Sequence, residues 1–209
     1  MKLYDFKMAP NARRVRIFTA EKGIELETVT VDLAAREQMG DDFKAVNARM
    51  AVPTLELDDG TIITESVAIC RYLDEIQPEP VLFGEGAKGK AIVEMWHRRC
   101  ELEGQVACGD AVRNSIEFFK GRAVTGPTNF EQIPALAERG KQRIGWFFEM
   151  LDERLGDSPY IAGVDYSIAD ICALVAIDFA KAAKVRMSED AVNLQRWYAD
   201  VSARPSATA

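Results

Sequence analysis

The sequence predicts an α/β segment followed by an all-helical one, and three observations carry that expectation. Residues 1 to about 78 alternate between short β-type runs and helix-type runs. From about Ala87 onward period-two alternation disappears and long stretches of helical periodicity take over. Between the two, Glu79-Pro80 through Gly84-Glu85-Gly86 has the composition of a linker. The expected boundaries are 1–78 for the first domain, 79–87 for the linker and 88–209 for the helical domain.

The first segment reads as β-α-β-α-β-β-α. Lys2–Phe6 is a strand, and Asn11–Lys22 a helix with Gly23 placed as the residue that ends it. Leu26–Val31 alternates with period two and is rich in β-branched residues, which makes it a second strand. Residues from Glu37 to Val46 suit a short, irregular helix. Thr54–Leu57 and Thr61–Thr64 flank Asp58-Asp59-Gly60, a hairpin signal. Glu65–Ile76 reads as a helix stopped by Gln77-Pro78. A β-α-β unit requires parallel pairing and a hairpin antiparallel pairing, so the sheet is expected to be mixed.

The second segment holds four helical patterns: Lys88–Lys120, Gln132–Leu155, Ser167–Lys184 and Ser188–Ser202. The third is apolar nearly all round, which marks the buried centre of a bundle. Its start, Gly163-Val164-Asp165-Tyr166-Ser167-Ile168-Ala169-Asp170, carries a capping box, with Ser167 as N-cap and Asp170 three residues on. Tyr166 and Ile171 have the spacing of a hydrophobic staple. This device is structural rather than catalytic.

Bulk properties exclude several classes. The formal net charge is −7, which argues against a nucleic-acid partner but not against a small anion in a local basic pocket. The chain opens without a signal-type segment and holds no apolar run of the roughly 18 residues a membrane span needs, so a cytosolic protein with no membrane partner is expected. Cys70, Cys100, Cys108 and Cys172 form no C-x-x-C pair and lie in apolar helical contexts, as buried inert thiols do. With the single histidine His97, read as a surface or satisfied helical residue, they provide no metal site.

Three stretches can carry chemistry. Lys7–Arg16 is a turn from strand to helix, where unpaired N–H groups and the helix dipole favour an anion. It contains no Ser, Cys, Thr or His. Pro53 precedes a strand and suits a bend that is either a cis bond, turning the Val52 N–H and C=O toward an extended peptide-like ligand, or a plain edge-strand proline. Glu65-Ser66 opens a helix directly after a strand. Glu65 can hold an ammonium and Ser66, with the neighbouring amides, a carboxylate, although taken alone such a pair at a helix start is most often simple capping.

Together "VPTL", "DDGTIITESVAICRYL", "GVDYSIADI" and "YADVSARPS" resemble the cytosolic glutathione transferase superfamily, across essentially the whole chain. The resemblance implies a thioredoxin-like N-terminal domain, a helical-bundle C-terminal domain, a homodimer and binding of glutathione, with no metal. Carried over residue by residue, it puts Val52, beside a cis Pro53, on the cysteinyl backbone of glutathione, and Glu65 and Ser66 on its γ-glutamyl end. Lys7–Arg16 becomes the thiol-activating turn. Members of the family place Tyr, Ser or Cys there; here the run is Ala9-Pro10-Asn11-Ala12, an atypical case. A mixed disulfide at residue 9 is thereby excluded. Asn11 is the first candidate to stabilise the thiolate, with nearby amides, Arg13, Arg14 or Arg16 adding positive potential and Tyr4 as an alternative hydroxyl. Moving a thiol pKa from about 8.5 to about 6.5 takes roughly 2.7 kcal/mol, within reach of one charge-assisted hydrogen bond and a helix terminus.

A second departure is Met50-Ala51, where the family often has Gly and then Gln or Lys; Gln38 or Lys44 is expected to take over the glycyl carboxylate. The implied partner is a small hydrophobic electrophile or disulfide, with an acceptor pocket between the domains lined by Met8, Phe6, Arg113 and Phe118. The alternative function is a non-catalytic or weakly active glutathione-binding homologue, which Ala9 favours.

Overall fold

A computed structural model describes residues 1–209. Contacts divide the chain into two units: Met1–Pro80 together with Val124–Asn129 and Ala209, and Val81–Ala123 together with Phe130–Thr208.

The first unit is thioredoxin-like. Its elements are β1 (Lys2–Asp5), α1 (Pro10–Lys22), β2 (Glu27–Thr30), α2 (Asp41–Val46), β3 (Thr54–Glu56), β4 (Ile62–Thr64) and α3 (Ser66–Ile76), with a 3-10 turn over Glu37–Met39 before α2. The strand order is β2-β1-β3-β4. β1 and β2, joined through α1, run parallel, whereas β1–β3 and β3–β4 are antiparallel. The mixed sheet is thus the one that a crossover and a hairpin dictate. Gly60, at φ 82, supplies the left-handed residue of the hairpin turn. α1 stops at Gly23, φ 65, where the Ile24 N–H bonds the Thr19 carbonyl at 2.9 Å.

Helices α1 and α3 pack together and bury Val15, Ile17, Phe18, Ile69 and Leu73 completely. A separate cluster of Val31, Phe43 and Val52 gathers Tyr4, Phe6, Leu33 and Val46. Lys22 is buried at the end of α1. Its ammonium meets Asp74 at 2.6 Å and the Pro78 carbonyl at 2.8 Å, which fixes the exit of α3.

The second unit is all helical: α4 (Gly86–Arg99), α5 (Val106–Arg113), α6 (Pro134–Gly156), α7 (Ile168–Ala180) and α8 (Val192–Ser202). The expected single helix over Lys88–Lys120 is a correction. A π-helical turn, Cys100–Gln105, separates α4 from α5, and the helix ends at Arg113. Distant residues end it. Gln132 Nε2 donates to the carbonyls of Arg113 and Ile116 at 2.9 and 2.8 Å, and Asn114 Oδ1 accepts from the Ile133 N–H at 2.9 Å. His97 is fully buried, which removes the surface alternative of the two expected for it. All four cysteines are buried, and burial pushes the Cys108 thiol up to about 12.

α7 is buried from Ile168 to Ile177. Its capping box is present: the Ser167 hydroxyl accepts from the Ala169 N–H, and Asp170 Oδ2 accepts from the Ser167 N–H at 3.0 Å. The other Asp170 oxygen accepts from the Ile161 N–H at 3.0 Å and from Trp197 Nε1 at 2.8 Å. One carboxylate therefore joins the start of α7 to α8 and to the loop before it. Desolvation raises its pKa, and these donors oppose the rise.

Candidate functional site

Strand register brings the three candidate stretches to one end of the sheet. Tyr4 pairs with Thr54 and Thr54 with Thr64. Two residues beyond this rung lie Phe6, leading into the turn before α1; Val52, leading into β3; and Ser66, opening α3. Successive strands are about 4.8 Å apart, so the end of the sheet from β1 to β4 spans on the order of 10 Å. An extended chain of three residues has about that reach.

The turn at β1 is held from outside. Arg16 Nη1 donates to both oxygens of Asp5, at 2.6 and 2.9 Å, and Nη2 to the Lys7 carbonyl at 2.8 Å. The Ala9 N–H closes the turn on the Phe6 carbonyl at 2.8 Å. Pro10 takes the first helical position, and the first helical bond runs from the Arg13 N–H to the Ala9 carbonyl at 3.0 Å. The Asn11 and Ala12 amides lie ahead of that bond, at the positive end of the dipole, and Asn11 is exposed there. Tyr4 is not available as a thiolate donor. Its hydroxyl donates to Glu56 Oε2 at 2.7 Å, and that bond is the main reason its pKa is raised. Of the arginines expected to add positive potential here, Arg16 is ion-paired with Asp5 and Arg14 is buried.

In the middle, the Val52–Pro53 bond is cis. Val52 is 9% exposed, yet its N–H and C=O take no partner within the chain. Buried main-chain groups are normally paired, so this one points to a ligand with peptide-like donors and acceptors. The loop that presents it is built around Asn47, which sequence reasoning missed. Asn47 is 5% exposed. Its Nδ2 donates to the Ala51 carbonyl and to Thr54 Oγ1, both at 2.9 Å, and its Oδ1 accepts from the Arg49 N–H at 2.9 Å. An Asn just past a short helix, able to form such an Asx turn, was the available signal. Met50 follows at φ 53, the left-handed region that glycine occupies at lowest cost.

At β4, the helix begins at Ser66, one residue later than expected, because Glu65 lies at φ 68, ψ 118, outside helical space. A non-glycine residue there stores backbone strain, and such strain clusters at binding sites. The first helical bond runs from the Ile69 N–H to the Glu65 carbonyl at 3.0 Å. The amides of Ser66, Val67 and Ala68 are thereby left to an incoming anion. The exposed Glu65 carboxylate lies 3.9 Å from Arg49 Nε, a weak surface pairing.

The other candidates fall into place less tightly. Gln38 is half-buried, and its Oε1 is buried without a hydrogen-bond partner; Lys44 is exposed on α2. Met8 is exposed in the β1–α1 turn. Within the helical unit Phe118 is exposed, whereas Arg113 is engaged as a clamp. It donates to the carbonyls of Ala123 and Arg122 at 2.9 and 2.6 Å, and its guanidinium lies 4.5 Å from the centroid of the Phe119 ring.

A thioredoxin-like unit with two helix starts and an unpaired strand entrance at one sheet end, followed by a helical bundle with a buried capping box, defines a glutathione transferase-type architecture. Comparison with known proteins agrees. Residues 9–76 match the family model described as "Glutathione S-transferase, N-terminal domain" and residues 115–205 the one described as "Glutathione S-transferase, C-terminal domain". The chain is 34% identical to "Glutathione S-transferase 2" of Saccharomyces cerevisiae, over 99% of this chain and 87% of that protein. Among solved structures, it superposes on a glutathione S-transferase domain-containing protein of Marinobacter aquaeolei with a TM-score of 0.88 and 35% identity, covering 99% of both chains. A glutathione S-transferase of class Gtt2 from Vibrio parahaemolyticus gives a TM-score of 0.83 and 39% identity, covering 99% of this chain and 94% of that one. The chain belongs to the glutathione S-transferase family.

Proposed function

We propose that this protein is a glutathione transferase that binds glutathione extended along the sheet end and ionises its thiol with amide donors rather than an enzyme hydroxyl or thiol. The observation that carries the reading is the unpaired main chain of Val52, midway between two helix N-termini. The cysteinyl N–H and C=O of glutathione pair with Val52, beside Pro53. Its γ-glutamyl carboxylate meets Ser66 and the first amides of α3, and Glu65 takes the ammonium. Its sulfur then falls at the turn of β1, where the Asn11 carboxamide and the first amides of α1 stabilise the thiolate. Gln38 and Lys44 are the candidates for the glycyl carboxylate, through the donors they carry, the Gln38 carboxamide NH₂ and the Lys44 ammonium.

The thiolate attacks a small electrophile; Met8, exposed and apolar in the β1–α1 turn, is the residue offered to a hydrophobic acceptor. Ala9 cannot form a mixed disulfide, so reduction of a disulfide or peroxide would run through glutathione itself. The protein acts in the cytosol as a homodimer. Exposed apolar Met95, Leu102 and Val106, on α4, the π-helical turn and α5 in that order, are suited to contact with a second copy. Sedimentation of Leu102→Lys tests this contact: wild-type dimer and variant monomer are expected.

The test of function is conjugation of glutathione to a chromogenic aryl halide, followed with wild-type protein and Asn11→Ala. Turnover that depends on glutathione supports the reading. Tight glutathione binding with no turnover toward any electrophile would leave the chain a binding homologue.

A further inference from the structure

Arg14 lies in the fifth position of α1, is 1% exposed, and donates from Nη1 to Ser66 Oγ at 2.8 Å. Three features make this contact informative. A guanidinium has donors only, so in this bond Ser66 Oγ must be the acceptor. Ser66 is itself 5% exposed and makes no other side-chain hydrogen bond. Its hydroxyl proton is therefore not given to any protein acceptor, although buried hydroxyls normally donate as well as accept. Finally, Ser66 starts α3, where its own amide and those of Val67 and Ala68 precede the first helical bond. Arg14 thus occupies the acceptor side of the hydroxyl and leaves its donor side for an external group, while a buried cation stands one atom behind. The arrangement fits a carboxylate and disfavours a donor such as an ammonium.

We propose that Arg14 is a positioning residue for the γ-glutamyl subsite: it fixes Ser66 as a hydrogen-bond donor and sets the subsite's preference for the α-carboxylate of the ligand. It does not touch the ligand; it acts through Ser66. The proposal rests on the glutathione reading above and gives Arg14, expected from the sequence only to add positive potential near the thiol, a part in the γ-glutamyl subsite instead.

The experiment compares glutathione with the tripeptide carrying 4-aminobutyryl in place of γ-glutamyl, which lacks only the α-carboxylate. Binding of both to full-length protein is measured by calorimetry for wild type, Ser66→Ala, Arg14→Met and the double variant. Arg14→Met is expected to weaken glutathione about tenfold or more, the range of one hydrogen bond to a charged group, and to leave the truncated tripeptide unchanged. In the double variant the loss is expected to be less than the product of the two single losses, as for residues acting on one group. Equal weakening of both ligands, or independent losses from the two substitutions, overturns the proposal. Where Arg14→Met does not fold, Arg14→Lys serves. It keeps the charge but not the planar fork, and a loss confined to glutathione supports the proposal while an equal loss on both ligands overturns it. If wild-type protein binds neither tripeptide, the glutathione reading itself has failed.

Discussion

Asn47 ties the loop before β3 to the strand with three side-chain hydrogen bonds, and all of them vanish in Asn47→Ala. A loss of about 2–3 kcal/mol in unfolding free energy is expected, read from urea denaturation, because buried partners are left unsatisfied. Affinity for glutathione is expected to fall with it, since the loop carries Val52. Asn11→Ala, by contrast, is expected to change chemistry rather than stability. Removing one donor to a thiolate is expected to raise the pKa of bound glutathione by about one unit, or 1.36 kcal/mol. Ultraviolet absorbance of the bound thiolate checks it. These two residues also mark the limits of sequence reasoning. Asn11 was named because it stands in a recognisable turn. Asn47 was passed over although its local Asx-turn signal was available, and Arg14 was named only for positive potential near the thiol, because its pairing with Ser66 spans 52 residues and no local periodicity encodes it.

At the level of elements, order and type were legible wherever local chemistry decided them. The hairpin at Gly60, the stop at Gly23 and the capping box of Ser167 and Asp170 follow from turn and cap residues alone. The end of α5 did not, because Gln132 and Asn114 impose it from outside the local pattern. Helix packing sets two opposite expectations within α6. A Cβ on Gly140 would lie 2.7 Å from the Ala111 nitrogen and 2.8 Å from the Ala107 carbonyl, both rigid backbone. Gly140→Ala is expected to force α5 and α6 apart and cost roughly 1–3 kcal/mol or more. Gly145 in the same helix has nothing within 4 Å of its Cβ position. Gly145→Ala is expected to stabilise by about 0.5–1 kcal/mol. Thermal unfolding of the pair separates the steric effect from the entropic one. Asp170→Ala strips the acceptor from Ile161, Ser167 and Trp197 at once and is expected to cost about 3 kcal/mol or more.

For the whole molecule, the family and its two-part architecture were legible because they rest on the order of elements and on motifs spread along the chain. The acceptor substrate was not, since no motif or local pattern in the sequence encodes the side chains that select it. Ligand linkage gives the prediction proper to this scale. Glutathione at a hundred times its Kd is expected to stabilise the fold by about 2.7 kcal/mol, or roughly 5–10 °C in Tm. An amine-blocked, carboxyl-esterified tripeptide at the same concentration is expected to give much less. The most direct test of the account is a spectroscopic pH titration of glutathione in the complex. The bound thiol is expected to ionise about two units below the ordinary thiol value near 8.5, giving a thiolate band at neutral pH without any enzyme hydroxyl or thiol nearby. A bound thiol that stays fully protonated at neutral pH would contradict it.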